Sequence, residues 1–494
     1  MKFEHRYLKF LDSYINRVSE KVGHSLYSNK LVKVSRDLIP ISEILIPVLA
    51  VISVYFNITV VPILSLGVLI FIHLLPLTYA YSKSVEYNEA VNKVAIYIAL
   101  SAYIMSLTGK DLISALRMMA EKGDNISKTE LNVIESKIHL FGKSLTDAVR
   151  ERVKLLKGTY LSELYSVYLT TKELGLSMSS RLDMLIRDLI SDMGVKSERR
   201  VFFLVDLSEA ILTVFVLFPV MALSFSFLTS INSQFNVVDN YDFLMLIPLI
   251  IAPGLYFVVS QNSVAPDVKP HISFLEKVLI FSFFPLSFLI VLFRLDPSLI
   301  IILFGLLIAV PIYVKHYLVA EKVFNLQPAL LSSLGDQMRL GYNVWESWRR
   351  AIAQLEEVER TINRVLTPEG IKEMPFINDI WRLTQIAYEG SYYTVFDEMS
   401  RVADRIVNVY KTFQNRVRPL LAVALSAPAI LIFTTHVLMG ISNNIDLYKV
   451  SFFIDLNLLV LTILFSKAYK GMPFYFPLFL AVGLESLLLS TVWL

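Results

Sequence analysis

The residue types that most often do chemistry are spread through this chain without the spacing that chemistry needs. Seven histidines, His5, His24, His73, His139, His271, His316 and His436, are scattered with no metal-ligand pattern. There are no cysteines, which removes disulfides, thiolate metal sites, cysteine nucleophiles and iron–sulfur clusters together. No phosphate-cradling glycine loop and no Gly-x-Ser-x-Gly nucleophile elbow occurs. Glu356, Glu357 and Glu359 sit in a charged helical run, where a solvated face accounts for them. The chain is therefore expected to have no catalytic site, no metal, no cofactor and no nucleotide hydrolysis of its own.

Two other kinds of charged residue remain as candidates. Asp206, Glu209, Asp455 and Glu485 fall within apolar runs. An ionisable group inside a membrane span is costly and is by default a functional hypothesis. Asp206 and Glu209 share a helix face at i, i+3 near the end of a long run, where a helix protruding into water also explains them. Asp455 and Glu485 lie deeper, and either could pair with a neighbouring helix. The second kind is basic: Lys143, Arg150, Arg152, Lys154 and Lys157 form one cluster, and Arg349 and Arg350 a smaller one. These are docking faces, solvated helix faces or contacts with anionic lipid heads. Arg199 and Arg200 sit at a membrane edge and read as topological anchors.

The elements that carry these residues are helices in and beside a membrane. Hydrophobic residues make up 55% of the 494 and charged residues only 18%, against about a quarter charged in soluble domains. A net charge of +3 gives no reason to expect nucleic-acid binding. The charges alternate in blocks with apolar runs, and a run of about 20 residues crosses the hydrocarbon core as a helix. Nine such spans are expected, near 39–57, 59–81, 203–229, 243–260, 274–293, 299–317, 419–439, 451–466 and 474–494. The resulting segments are an amphipathic N-terminus (1–38), a hairpin of spans (39–81), a polar helical domain (82–200), four spans (201–318), a second polar helical domain (319–417) and three spans (418–494). Helical spacing of apolar residues, as in Leu112, Ala115, Leu116 and Met119, marks both polar domains as small bundles. The expected fold class is an all-α polytopic membrane protein.

Basic residues near the membrane ends set orientation. Lys2, Arg6, Lys9, Arg17, Lys21, Lys30, Lys33 and Arg36 place the N-terminus in the cytoplasm, and both polar domains with it. Asn236–Asp242, expected outside, has no Lys or Arg, while Lys467 and Lys470 fall inside; Arg294 and Lys449 are exceptions. The expected location is the cytoplasmic membrane.

The plan is also repeated. Two spans, a polar helical domain and two spans occur in 39–260 and again in 274–466. Gly-x-x-Leu-x-x-Ala-apolar appears at Gly109, Leu112, Ala115, Leu116 and at Gly142, Leu145, Ala148, Val149, with a looser version at Gly341, Val344, Ser347, Trp348. A left-handed glycine ends one helix and the next begins with its apolar stripe inward, with Asp111 and Ser144 placed to cap. Glu173-Leu174-Gly175 and Tyr388-Glu389-Gly390 precede the following spans at similar distances.

Gly142-Lys143-Ser144-Leu145-Thr146-Asp147-Ala148 resembles the Gly-x-Ser-Leu-x-x-Ala element of the type II secretion system F family, and Glu173-Leu174-Gly175 with Leu182 and Leu185 resembles its downstream helix start. The two-domain plan matches over 39–466, and the shorter second domain is most like the archaeal branch of pilus and archaellum platform proteins. The resemblance implies a non-enzymatic membrane platform for a type IV pilus-like filament. Such a platform binds a cytoplasmic secretion ATPase, moves pilin-like subunits from the bilayer into the fibre and is expected to be a homodimer. The ATPase interface would then fall on Lys143, Arg150, Arg152, Lys154, Lys157, Arg349 and Arg350. Asp455 or Glu485 would face a charged residue of a subunit's transmembrane segment. A repeat-built secondary transporter and a membrane scaffold without motor coupling are the alternatives.

Overall fold

The computed structural model describes residues 2–23, 25, 60–107, 109–231, 241–264, 268, 272–354, 375–389, 395–439 and 447–493. Among them there is no β-strand, as expected for an all-α polytopic chain. Two compact units form, Met1–Leu189 with Asp379–Tyr392, and Ile190–Asn378 with Tyr393–Leu494.

In the first unit α1 (Lys2–Val22) is amphipathic, burying Leu11, Ile15, Val18 and Val22 at helical spacing. It lies along α2 (Val60–Leu107), a 48-residue helix whose C-terminal half buries Val91, Ala95, Ile98, Ala99, Ala102 and Met105. Four short helices follow: α3 (Leu112–Glu121), α4 (Asn125–His139), α5 (Leu145–Leu155) and α6 (Tyr160–Leu174). Each starts on a side-chain cap, with Asp111, Asp124, Ser144 and Thr159 accepting from the backbone N–H three residues on. The bundle closes on Leu112, Ala115, Leu116 and Met119 of α3 and Leu161, Leu164 and Tyr165 of α6, all without exposure.

Residues 379–392 belong to this unit, although the sequence assigns them to the second polar domain. Arg382 explains their attachment. Its guanidinium donates to the carbonyls of Lys122 (3.1 Å) and Gly123 (2.7 Å) and pairs with Asp379 at 2.6 Å. Those carbonyls are orphans at the end of α3, and a buried cation satisfies them.

The second unit is built on long apolar helices. From Ile190 onward α7 (Met178–Leu212) runs through a π-helical turn at Thr213–Leu217 into α8 (Phe218–Ile231). There follow α9 (Tyr241–Asn262), α10 (Phe274–Leu292) and a helical rod α11 (Ser298–Arg339) with π turns at Gly305–Ala309 and Tyr313–Tyr317. After α12 (Val344–Gln354), and past α13 (Pro375–Glu389), which belongs to the first unit from Asp379 on, come α14 (Val395–Val417), α15 (Pro419–Met439), α16 (Leu447–Lys470) and α17 (Phe476–Trp493). The polar end of α11 packs along α14, with Phe324 edge-on to Tyr410 at 5.3 Å and Leu330, Leu331, Leu334 and Met338 buried.

The apolar end is drawn tight by two glycines. A Cβ on Gly483 of α17 would stand 2.7 Å from a side-chain carbon of Ile302 and 3.2 Å from its backbone nitrogen. One on Gly305 of α11 would stand 3.1 Å from the Cβ of Phe479. Small residues let two helix backbones approach this closely where van der Waals packing is the main attraction.

Seven helices among the described residues are long and apolar enough to cross a membrane, and Phe476–Val492 is a shorter apolar helix. The expected span 39–57 lies outside the described residues. The expected break near residue 81 is absent, because α2 continues unbroken to Leu107. The multi-pass membrane character stands. Gly483→Val places a branched side chain in the α11–α17 contact. Overpacking of this kind costs about 1–3 kcal/mol, so the detergent-solubilised protein should melt several degrees lower, while Leu488→Val on the exposed side of α17 should leave melting unchanged.

Candidate partner-docking surfaces and intramembrane acids

The helix-start motifs place the basic residues of the first unit. Gly142 has φ 65° and Gly175 has φ 63°, and a Cβ on either would meet nothing within 4 Å. The glycine is there for its backbone freedom and not for space. Gly109 and Gly341 share the left-handed conformation, and Gly390 lies outside the described residues. Leu112, Ala115 and Ala148 are buried behind these turns, while Leu145 and Val344 are half-buried.

The basic cluster divides into an inside and an outside. Arg152 has no exposed surface, which corrects its assignment to a docking face. Its Nε and Nη2 donate to the two oxygens of Glu130 at 2.8 and 2.6 Å, a forked pair in which both partners are buried. Nη1 and Nη2 also donate to the carbonyls of Glu20 (3.0 Å) and Lys21 (2.6 Å) at the end of α1. The phenols of Tyr165 (3.1 Å) and Tyr87 (2.5 Å) also donate to Glu130, one to each oxygen. Burial alone would lower the Arg152 pKa, and the hydrogen bond and charge of Glu130 more than reverse it. Burial, then the Glu130 charge, push the Tyr165 phenol well above its ordinary range. This cluster is a structural node that fastens the N-terminal helix to the bundle.

Outside it, Lys137 bridges Glu20 (2.9 Å) and Glu151 (2.8 Å), and Lys143 also pairs with Glu151. Hydrogen bonds from Lys137 and then Lys143 hold the Glu151 carboxyl down at about 2. Arg150 is shared between Asp147 and Glu173, each at 2.9 Å. Lys154 and Lys157 are exposed and make no ion pair or hydrogen bond among the described residues. In the second unit, Arg349 and Arg350 are exposed and both lean on Glu346, Arg350 at 2.7 Å and also over the Tyr342 ring at 3.8 Å. The Arg350 hydrogen bond lowers the Glu346 pKa. Of the seven basic candidates, Lys154 and Lys157 thus carry charge that no described residue answers.

The acids divide in the same way. Asp206 and Glu209 are exposed on α7. Asp455 is buried and accepts from Ser486 Oγ of α17 at 2.6 Å and from Ser451 at 3.5 Å, and Ser490 of the same helix donates to Asp296. Asp455 therefore pairs with a neighbouring helix of its own chain. Glu485 is half-buried and makes no hydrogen bond or ion pair among the described residues. Sequence reading did not find Glu276, buried in the second unit with Lys315 at 3.0 Å and His316 at 3.1 Å; the Ser273–Glu276 capping box is its only sequence signal. No group of three or more His, Asp or Glu among the described residues could hold a metal ion.

No family model, curated protein or solved structure matches the chain.

Removing Arg152 leaves Glu130 buried and uncompensated, a loss of about 3–5 kcal/mol. Arg152→Met should lower the melting temperature sharply, and Arg152→Met combined with Glu130→Leu should cost less than Arg152→Met alone. The Glu151 carboxyl titrates near 2 when folded against an ordinary 4.5, so its pairing contributes fully above about pH 4.5 and is lost as pH falls toward 2. Glu151→Gln should flatten the acid limb of a stability–pH profile in that window and leave the neutral region's shape unchanged.

Proposed function

We propose that this chain is a non-enzymatic membrane platform for assembling a type IV pilus-like filament. In this reading the N-terminus and the polar helical bundles lie in the cytoplasm, a secretion ATPase docks on them, and the apolar helices receive pilin-like subunits from the bilayer. The archaeal pilus and archaellum platforms are the nearest pattern, on the strength of the Gly142–Ala148 element and the duplicated two-domain plan.

The observation that carries the reading is the contrast within the first unit. Its interior is locked by the Arg152–Glu130 pair, while Lys154 and Lys157 stand exposed on and just beyond α5 with no partner among the described residues. A rigid bundle that presents unanswered cations suits docking of an acidic protein surface and transmission of its motion. Stiffness matters here because a soft domain would absorb a push instead of passing it to the membrane helices. Arg150 and Lys143, already paired within the chain, contribute less.

The test is binding of the purified protein in lipid nanodiscs to the hexamer-forming secretion ATPase of the same cell. Lys154→Glu with Lys157→Glu should weaken binding by about tenfold at moderate salt, and raised salt should weaken the wild-type complex toward the variant. Equal affinity of wild type and variant overturns this docking face. Failure of the ATPase to bind at all overturns the platform reading.

A further inference from the structure

In the second unit α7 and α14 face each other across open space. Arg405, Asn408, Thr412 and Arg416 of α14 line one side, at the spacings of three and four by which helices ordinarily close an apolar seam. Ser197 and Glu198 of α7 line the other. Between them lies a cavity of about 360 Å³, within the range of about 300–1,000 Å³ usual for small-ligand sites. Arg416 reaches across to Glu198 at 2.9 Å, and a Cβ on Gly194 would stand 3.9 Å from Val409.

The lining selects the charge of what fits. Arg405 is exposed and makes no ion pair or hydrogen bond among the described residues. Ser197 is 7% exposed, and its side chain likewise has no hydrogen-bond partner among them. A hydroxyl withdrawn from water without a partner is costly, which calls for a polar group in the cavity. Among the described residues Glu198 is the only carboxylate on the lining, and Arg416 already answers it. A guanidinium and a hydroxyl are left as donors to one space. The planar guanidinium fork matches two oxygens of a phosphate.

The two helices also say what the phosphate is attached to. Gly194 beside Val409 and Glu198 beside Arg416 make them parallel, so both turn apolar at the same end of the cavity. Beyond Val201, α7 presents Phe202 and Phe203, 66% and 43% exposed, and beyond Arg416 the chain enters the apolar helix α15. Both stretches belong to helices long and apolar enough to cross a membrane. A phosphate carrying acyl chains can seat its headgroup in the cavity and lay its chains along those residues, whereas free phosphate gains nothing from them.

We propose that the α7–α14 cavity binds the phosphate headgroup of an anionic membrane lipid, with Arg405 and Ser197 as its donors. A headgroup seated there joins two helices across a gap that side chains leave unfilled, so it stabilises the folded chain. The inference does not rest on the platform reading.

The test is melting of the detergent-purified full chain titrated with dioctanoyl phosphatidylglycerol, dioctanoyl phosphatidylcholine or inorganic phosphate. The anionic lipid should raise the melting temperature to a plateau, and the other two should leave it in place. Arg405→Gln should weaken the apparent affinity by about tenfold, the scale of one lost hydrogen bond to a charged group. Arg401→Gln, one turn earlier on α14 and paired with Glu398 at 2.9 Å, should not. Glu198→Gln removes the opposing carboxylate and should tighten binding, a gain that a damaged fold does not produce. An equal shift with phosphatidylcholine or inorganic phosphate overturns the choice of an anionic lipid. No shift at all, or one indifferent to Arg405→Gln, overturns the site.

Discussion

A peptide backbone surrounded by apolar material must satisfy every N–H and C=O within its own segment, and the whole second unit is arranged under that constraint. It leaves helices as the form available to a chain with these apolar runs and no strand pattern. What varies is then how closely helices approach and which polar side chains they share. Gly483 and Gly305 set the first, bringing α17 onto the α11 rod within side-chain contact of the backbone. The serines of α17 set the second, carrying hydroxyls to Asp455 and Asp296. The π turns in the apolar stretches at Thr213–Leu217 and Gly305–Ala309 keep the backbone bonded while changing the pitch of the helix.

In the first unit the organising interaction is electrostatic. Glu130 and Arg152 lie at the centre of a bundle whose helices are only 10 to 15 residues long from α3 to α6, too short to be stable alone in water. The apolar core formed by Leu112, Leu116, Met119, Leu161 and Leu164 holds them together with little geometric demand. The forked pair adds direction, because the same guanidinium reaches two carbonyls of α1 while two tyrosines fix the carboxylate. Arg382 repeats the device, using one cation to satisfy the orphan carbonyls that end α3.

Much of this was legible in the residues. The caps at Asp111 and Ser144, the left-handed glycines after α4 and α6 and the buried stripe of α3 all follow from local rules that need no tertiary context. Arg152 stands apart from its basic neighbours by its helix face. Arg150 and Lys154 are four apart and share the outer face of α5, whereas Arg152 is four from Ala148 and shares the face that is buried. Helical periodicity alone separates it from its neighbours, so nearness in sequence does not make the five cations one patch. The attachment of residues 379–392 to the first unit had no such signal, since it rests on Arg382 meeting carbonyls some 260 positions away in the chain. Span limits were also hidden, because α2, α7 and α11 carry on beyond their apolar stretches as ordinary amphipathic helices with no break for a sequence to show.

The claim on which the functional account rests is that the polar face of the first unit and the loop around Leu295 lie on opposite sides of one membrane. Because the chain has no cysteine of its own, single cysteines at Lys157 and at Leu295 report this directly through a membrane-impermeant maleimide applied to intact cells. The account predicts labelling at 295 in intact cells and at 157 only after the membrane is permeabilised. Labelling of both from the same side would contradict it.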